Sequence, residues 1–152
     1  MKTKNLLVSL DLLNDKVQFN GLVEDQAPIK IDYVAPLGDG QGYTSLELLL
    51  LSLGSCMAST LLMFLRRSGK TVNSLRIIAE ADRRAEHPTI LTTIHLRFFF
   101  TSPDLTQGDF EKVLAVTEDR FCPVYAMIKP ETKIITTCHI GDPVDENVHS
   151  NH

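Results

Sequence analysis

The sequence predicts one mixed domain of helices and antiparallel strands, built round a single long apolar helix. Three observations predict it. Between Glu47 and Arg66 there is no charged residue. On both sides of that segment apolar and polar residues alternate with period two, the mark of half-buried strands. A second segment, 106–121, returns to helical spacing before a last strand. The 152 residues suit one domain, expected over 1–140, with 141–152 as a polar tail.

The long helix is bounded at both ends. Thr44 suits the N-cap, and Glu47 three residues on completes a capping box. Arg66 and Arg67 fall in the last turn, where cations suit the helix dipole. Gly69 suits the left-handed residue that ends a helix. A helix apolar all round is a membrane span or the axis of a core. The uncharged run from Leu48 to Leu65 just reaches the length of a span. Ser52, Gly54, Ser55, Cys56, Ser59 and Thr60 cluster in its middle, and strands flank it. Both facts favour a buried helix, with another helix or backbone close against the small residues, and no membrane.

The other elements follow in order. Residues 5–12 and 17–23 read as two hairpinned strands with a turn at Asn14 and Asp15. From Pro28 to Val34, Ile29, Ile31 and Tyr33 alternate with Lys30 and Asp32, a half-buried strand. Gly38, Gly40 and Gly42 follow. They lack the full phosphate-binding fingerprint and read as a flexible loop feeding the long helix. Residues 72–81 and 89–100 form two more strands. In the second, Ile90, Thr92, Ile94, Leu96, Phe98 and Phe100 share one face, with His95 and Arg97 opposite. His95 there reads as solvated rather than as a general base. Thr106 and Asp109 cap a helix that lays Phe110, Val113, Leu114, Thr117 and Phe121 on the sheet. Pro123 suits the first position of a further helical turn, and residues 132–140 are the last strand.

Composition excludes several function classes. A net charge of −4 and a pI near 5.7 give no reason to expect a nucleic-acid partner. The start, MKTKNLLVSLDLLND, does not read as a signal peptide, because Asp11 breaks its apolar run. Three cysteines form no C-x-x-C pair, and their odd number argues against a secreted disulfide framework. The five histidines show no metal-ligand spacing with them. A reducing, cytoplasmic compartment fits such thiols best, and no metal or cofactor is called for.

The chemistry rests on two cysteines. Cys56 lies mid-helix among small residues that leave room for a partner. Cys122 follows the second helix and precedes Pro123. At the N-cap of the next turn, unpaired N–H groups and the dipole would favour its thiolate. Cys138, on a strand without an activating neighbour, reads as packing. A peroxidatic thiolate and a resolving cysteine need such a pairing. One sulfur is oxidised to the sulfenic acid and the other closes a disulfide.

In SLELLLLSLGSCMAS around Cys56 and EDRFCPVYAMI around Cys122, the chain resembles the OsmC/Ohr family of osmotically induced proteins and organic hydroperoxide reductases. Strands 72–100 and helix 106–121 fall in the family's order, and the resemblance reaches Ile140. It implies an α+β fold, with a long central helix carrying the first cysteine against antiparallel sheets. It also implies an intertwined homodimer with its sites at the interface. The activity implied is reduction of organic hydroperoxides by Cys56, with Cys122 resolving. A dithiol of lipoyl or thioredoxin type would recycle the pair. Family reductases add an arginine from the N-terminal strands and a glutamate early in the helix. Here no arginine precedes Arg66; Lys2, Lys4, Lys16 and Lys30 are the cations of that region. Leu46 occupies the glutamate position, with Glu47 beside it. That pattern looks more like the branch typified by the YhfA-like proteins. The alternative function is a non-enzymatic protein of the same fold that holds a small hydrophobic ligand.

Overall fold

The structure is a computed structural model and describes residues 5–141. The expected tail from residue 142 on, and Lys2 and Lys4, lie outside the described residues. The chain divides into two compact units, with the boundary between Leu49 and Leu50.

The first unit holds strands β1 (Ser9–Leu12), β2 (Phe19–Leu22) and β3 (Ile29–Ile31). They form an antiparallel sheet in that order. The strands are shorter than the alternation predicted. Register places Leu10, Leu12, Phe19, Ile29 and Ile31 on one face. Among the described residues nothing covers that face fully: Leu10 and Leu12 stay 59% and 57% exposed.

The glycine loop is not the loose connector expected. Asp32 is fully buried. It accepts the backbone N–H groups of Tyr33, Gln41 and Asp39 at 2.8, 3.1 and 3.2 Å, and the Gln18 amide at 3.4 Å. Burial pushes this carboxyl up, but the N–H bonds from Gln41, Tyr33 and Asp39 outweigh it and hold it below the usual carboxylate range. The loop thus does cradle an anion, the protein's own. A Cβ at Gly38 would lie 2.2 Å from the Asp32 Oδ1, so only glycine lets the backbone close on the carboxylate.

Helix α1 (Ser45–Arg67) begins and ends as predicted. Thr44 N–H donates to Glu47 at 2.8 Å and Glu47 N–H to the Thr44 hydroxyl at 3.3 Å. Gly69 adopts φ +81°, Gly69 N–H bonds the Arg66 carbonyl and Lys70 N–H the Leu65 carbonyl, which is a Schellman end. Leu53, Gly54, Met57, Ala58, Leu61 and Leu65 form a buried stripe. Their spacing of three to four residues is that of one helix face. The opposite face is open: Ser52, Ser55, Ser59 and Met63 are exposed, and Leu51, in the early turns on the stripe's flank, is 55% exposed. Within one chain the helix is therefore covered on one side only. By length and composition it is also apolar enough to cross a membrane.

The second unit also holds strands β4 (Ser74–Arg83), β5 (Leu91–Thr101) and β6 (Lys133–Ile140). Gly54 passes close enough to β4 that an added Cβ would stand 3.7 Å from Ile77. Ile94, Leu96, Phe98 and Phe100 are buried as the alternation predicted. Thr92 is not. A bulge opposite Asp82 and Arg83 shifts the register, and Leu91 takes the inward place.

The sheet is also not purely antiparallel. β4 and β5 pair antiparallel, but β5 and β6 run parallel. The reason is the crossover between them, which contains helix α2 (Gln107–Val116), a wide π turn (Thr117–Phe121) and short helix α3 (Pro123–Ile128). A connection of that length carries the chain back to the end where β5 began. α2 is capped by Thr106 and Asp109 as expected. Its Phe110 is buried against Phe98 and Phe100, with ring centroids 5.7 and 5.9 Å away.

Candidate functional site

Both candidate cysteines belong to the second unit, and the fold brings them together. Cys56 stands on α1 at the edge of the buried stripe and is half-buried. Its small neighbours keep their hydroxyls busy on their own helix. Ser55 donates to the Ser52 carbonyl at 3.1 Å, Ser59 to Ser55 at 2.7 Å and Thr60 to Cys56 at 3.3 Å.

Cys122 arrives from the crossover. Helical hydrogen bonding does not run on to it from α2. Cys122 N–H bonds the Thr117 carbonyl, five residues back, at 3.0 Å. That extra residue per turn rotates whatever follows by about 100° relative to an α-helix. Cys122 itself is extended, at φ −93° and ψ 102°, as a residue before proline prefers. It caps α3, and its sulfur accepts the Tyr125 N–H at 3.4 Å.

The result is a sulfur–sulfur distance of 3.0 Å between residues 66 apart in the chain, with the Cys122 thiol donating to Cys56 Sγ. A disulfide bond is about 2.05 Å, so about 1 Å of approach separates this pair from one. The expected activation of Cys122 is corrected. The N-cap is real, yet burial first, and then the neighbouring Cys56, push its thiol up to about 11. A helix of six residues offers too few aligned dipoles to offset desolvation. Cys122 is thus a neutral hydrogen-bond donor at neutral pH.

The surroundings of Cys122 are half-buried too. Burial, and then the charges of Glu118 and Cys122, raise the Tyr125 phenol. Phe121 does not lie on the sheet as the helical spacing predicted. It packs edge-on against Phe64 of α1, with ring centroids 4.9 Å apart. The helical phase was carried past Thr117, where the π turn breaks it. The Cys-Pro step was the signal that the helix had to end before Cys122.

The cations named from sequence take other places. Lys16 is ion-paired with Asp39 inside the first unit. Arg66 and Arg67 are exposed at the end of α1, about 15 Å of helix beyond Cys56. His95 is on the outer face of β5, 3.9 Å from Asp82 and 44% exposed, solvated as expected. Cys138 is on the inner face of β6, and burial pushes its thiol up to about 11.

Comparison with known proteins agrees with this architecture. The family model of OsmC-like proteins matches residues 38–137. Protein YhfA of Escherichia coli is 25% identical over 89 residues, covering 59% of this chain and 66% of that relative's length. Among solved structures, one from Aquifex aeolicus has a TM-score of 0.79 at 23% identity, covering 91% of this chain and 98% of that one. An organic hydroperoxide resistance protein from Legionella pneumophila has a TM-score of 0.67 at 11% identity, covering 91% and 98%. At those identities the two structures speak for the fold.

Proposed function

Because the chain belongs to the OsmC-like family, we propose that it is a thiol-based redox protein that reduces organic hydroperoxides through Cys56 and Cys122. The observation that carries this reading is the 3.0 Å separation of the two sulfurs.

The Cys56 thiolate attacks one peroxide oxygen. The S–O bond forms as the O–O bond breaks, and the alkoxide leaves and takes a proton to become the alcohol. The sulfenic acid on Cys56 is then attacked by the Cys122 sulfur. The S–S bond forms, and the displaced hydroxide takes the Cys122 proton and leaves as water. An external dithiol returns two electrons and two protons by exchange. Before oxidation, the Cys122 thiol donates to the Cys56 sulfur and holds the two sulfurs together. The uncharged, apolar helix that carries Cys56 suits an alkyl or lipid hydroperoxide.

The protein acts as a homodimer in this reading. The β1–β3 sheet and α1 leave apolar side chains such as Leu10, Leu12 and Leu51 more than half exposed, and a second copy of the chain is the cover this reading assigns to them. Three unpaired thiols suit a reducing, cytoplasmic compartment.

A second reading is favoured by one observation. Leu46 replaces the family's glutamate, and no arginine precedes Arg66 in the sequence. A protein that only holds a small hydrophobic ligand would show the same. Stopped-flow loss of thiol against cumene hydroperoxide decides between them, with Cys56→Ser as control. A second-order reaction that Cys56→Ser abolishes supports the peroxidase. A rate equal to the control overturns it in favour of the binding protein.

A further inference from the structure

The π turn that presents Cys122 is tied to α1 at two points. One is the sulfur pair. The other is Phe121 on Phe64, edge to face at 4.9 Å. These contacts diverge from adjacent residues, 121 and 122. They reach positions eight residues apart on α1, about 12 Å along its axis. A helical side chain leans back toward the N-terminus, so the Phe64 ring covers the turns lying towards Cys56. Phe121 is 48% exposed, more than core packing alone would ask of a phenylalanine.

We infer that Phe64 and Phe121 are positioning residues whose ring pair docks the π turn on α1 and holds Cys122 Sγ within bonding reach of Cys56 Sγ. This rests on the reading of the two cysteines as a redox couple, but not on peroxide as the oxidant. The step affected is closure of the disulfide. Two thiols lose two electrons and two protons to an oxidant, either an organic hydroperoxide or oxidised dithiothreitol. The clamp raises the effective concentration of one sulfur at the other.

The test is the thiol–disulfide equilibrium of the full chain against the dithiothreitol couple. Phe64→Leu and Phe121→Leu keep most of the apolar bulk and remove the ring. They should shift the equilibrium toward the dithiol by roughly 2- to 12-fold, the worth of an aromatic pair. The alanine variants should shift it further, and Phe121→Tyr, which keeps the ring, should match the parent. Thermal melts in a Cys56→Ser, Cys122→Ser background measure folding separately from the redox couple. Under hydroperoxide, the ratio of dimedone-trapped Cys56 to disulfide should rise in the leucine variants. An unchanged equilibrium in both leucine variants overturns the inference. So does a Phe121→Tyr variant that behaves like leucine. A parent that closes its disulfide with oxidised dithiothreitol but never with hydroperoxide overturns the peroxidase reading. The ring pair is then still judged by the equilibrium.

Discussion

Cys122 and Cys138 both have thiols raised to about 11, chiefly by burial, yet only Cys122 faces another sulfur. Replacing them should therefore give opposite results. Cys122→Ser should still form a sulfenic acid at Cys56 but no intramolecular disulfide. Cys138→Ser should form both, as read by intact mass after hydroperoxide and dimedone. The high Cys122 pKa also sets a pH dependence. The thiolate is the stronger nucleophile, and its fraction grows about tenfold per pH unit below the pKa. Disulfide closure in the parent should accelerate steadily from pH 7 to 10. A closure rate independent of pH over that range would mean that another group takes the proton.

Among the elements, α2 is the one whose start can be dissected most cleanly. Asp109 accepts Thr106 N–H at 3.0 Å and its hydroxyl at 2.8 Å, and pairs with Lys70 at 2.9 Å. Lys70 first, and then Thr106, hold its carboxyl down from 3.8 to about 2. A depressed folded-state pKa stabilises above the unfolded value, and the gain is lost as pH falls through the folded one. Asp109→Asn should therefore destabilise at pH 7, and its deficit against the parent should shrink between about pH 4 and 2, in urea titrations. Thr106→Ala removes the other half of the box and should cost about 1 kcal/mol at neutral pH. In the first unit, Gly38→Ala should cost more than a surface change. Its Cβ would meet both the Asp32 carboxylate and the Tyr33 carbonyl, each at 2.2 Å. A melting temperature within a degree of the parent would show that the Asp32 cradle can rearrange.

For the molecule as a whole, the decisive quantity is apolar surface left open in one chain. Leu51 on α1 and Leu10 and Leu12 on the first sheet are each more than half exposed. Exposed apolar side chains of that kind, in each unit taken by itself, mark an interface. Light scattering at micromolar concentration should give the mass of two chains. Leu51→Glu should shift it toward one chain, with loss of stability. A parent of monomeric mass would remove the homodimer from the proposed function.

The long helix, with both its caps, and the buried alternation of β5 were legible in the sequence. Those features depend on neighbours one to four residues away. Small residues on a charge-free helix and a Cys-Pro step are local signals that singled out Cys56 and Cys122, whose sulfurs the fold brings to 3.0 Å. Tertiary structure alone decided the rest. The β5 bulge that exchanges Thr92 for Leu91 depends on its pairing with Asp82 and Arg83. The parallel pairing of β6 depends on where a long crossover returns. The π turn is one residue out of phase with the helix before it, and no periodicity within 106–121 announces that residue. Its single extra step turned Phe121 from the sheet to Phe64. The pKa of Cys122 followed the same logic. The sequence could place it at a helix cap, but burial beside a second sulfur is a long-range fact, and desolvation outweighs the dipole of a six-residue helix.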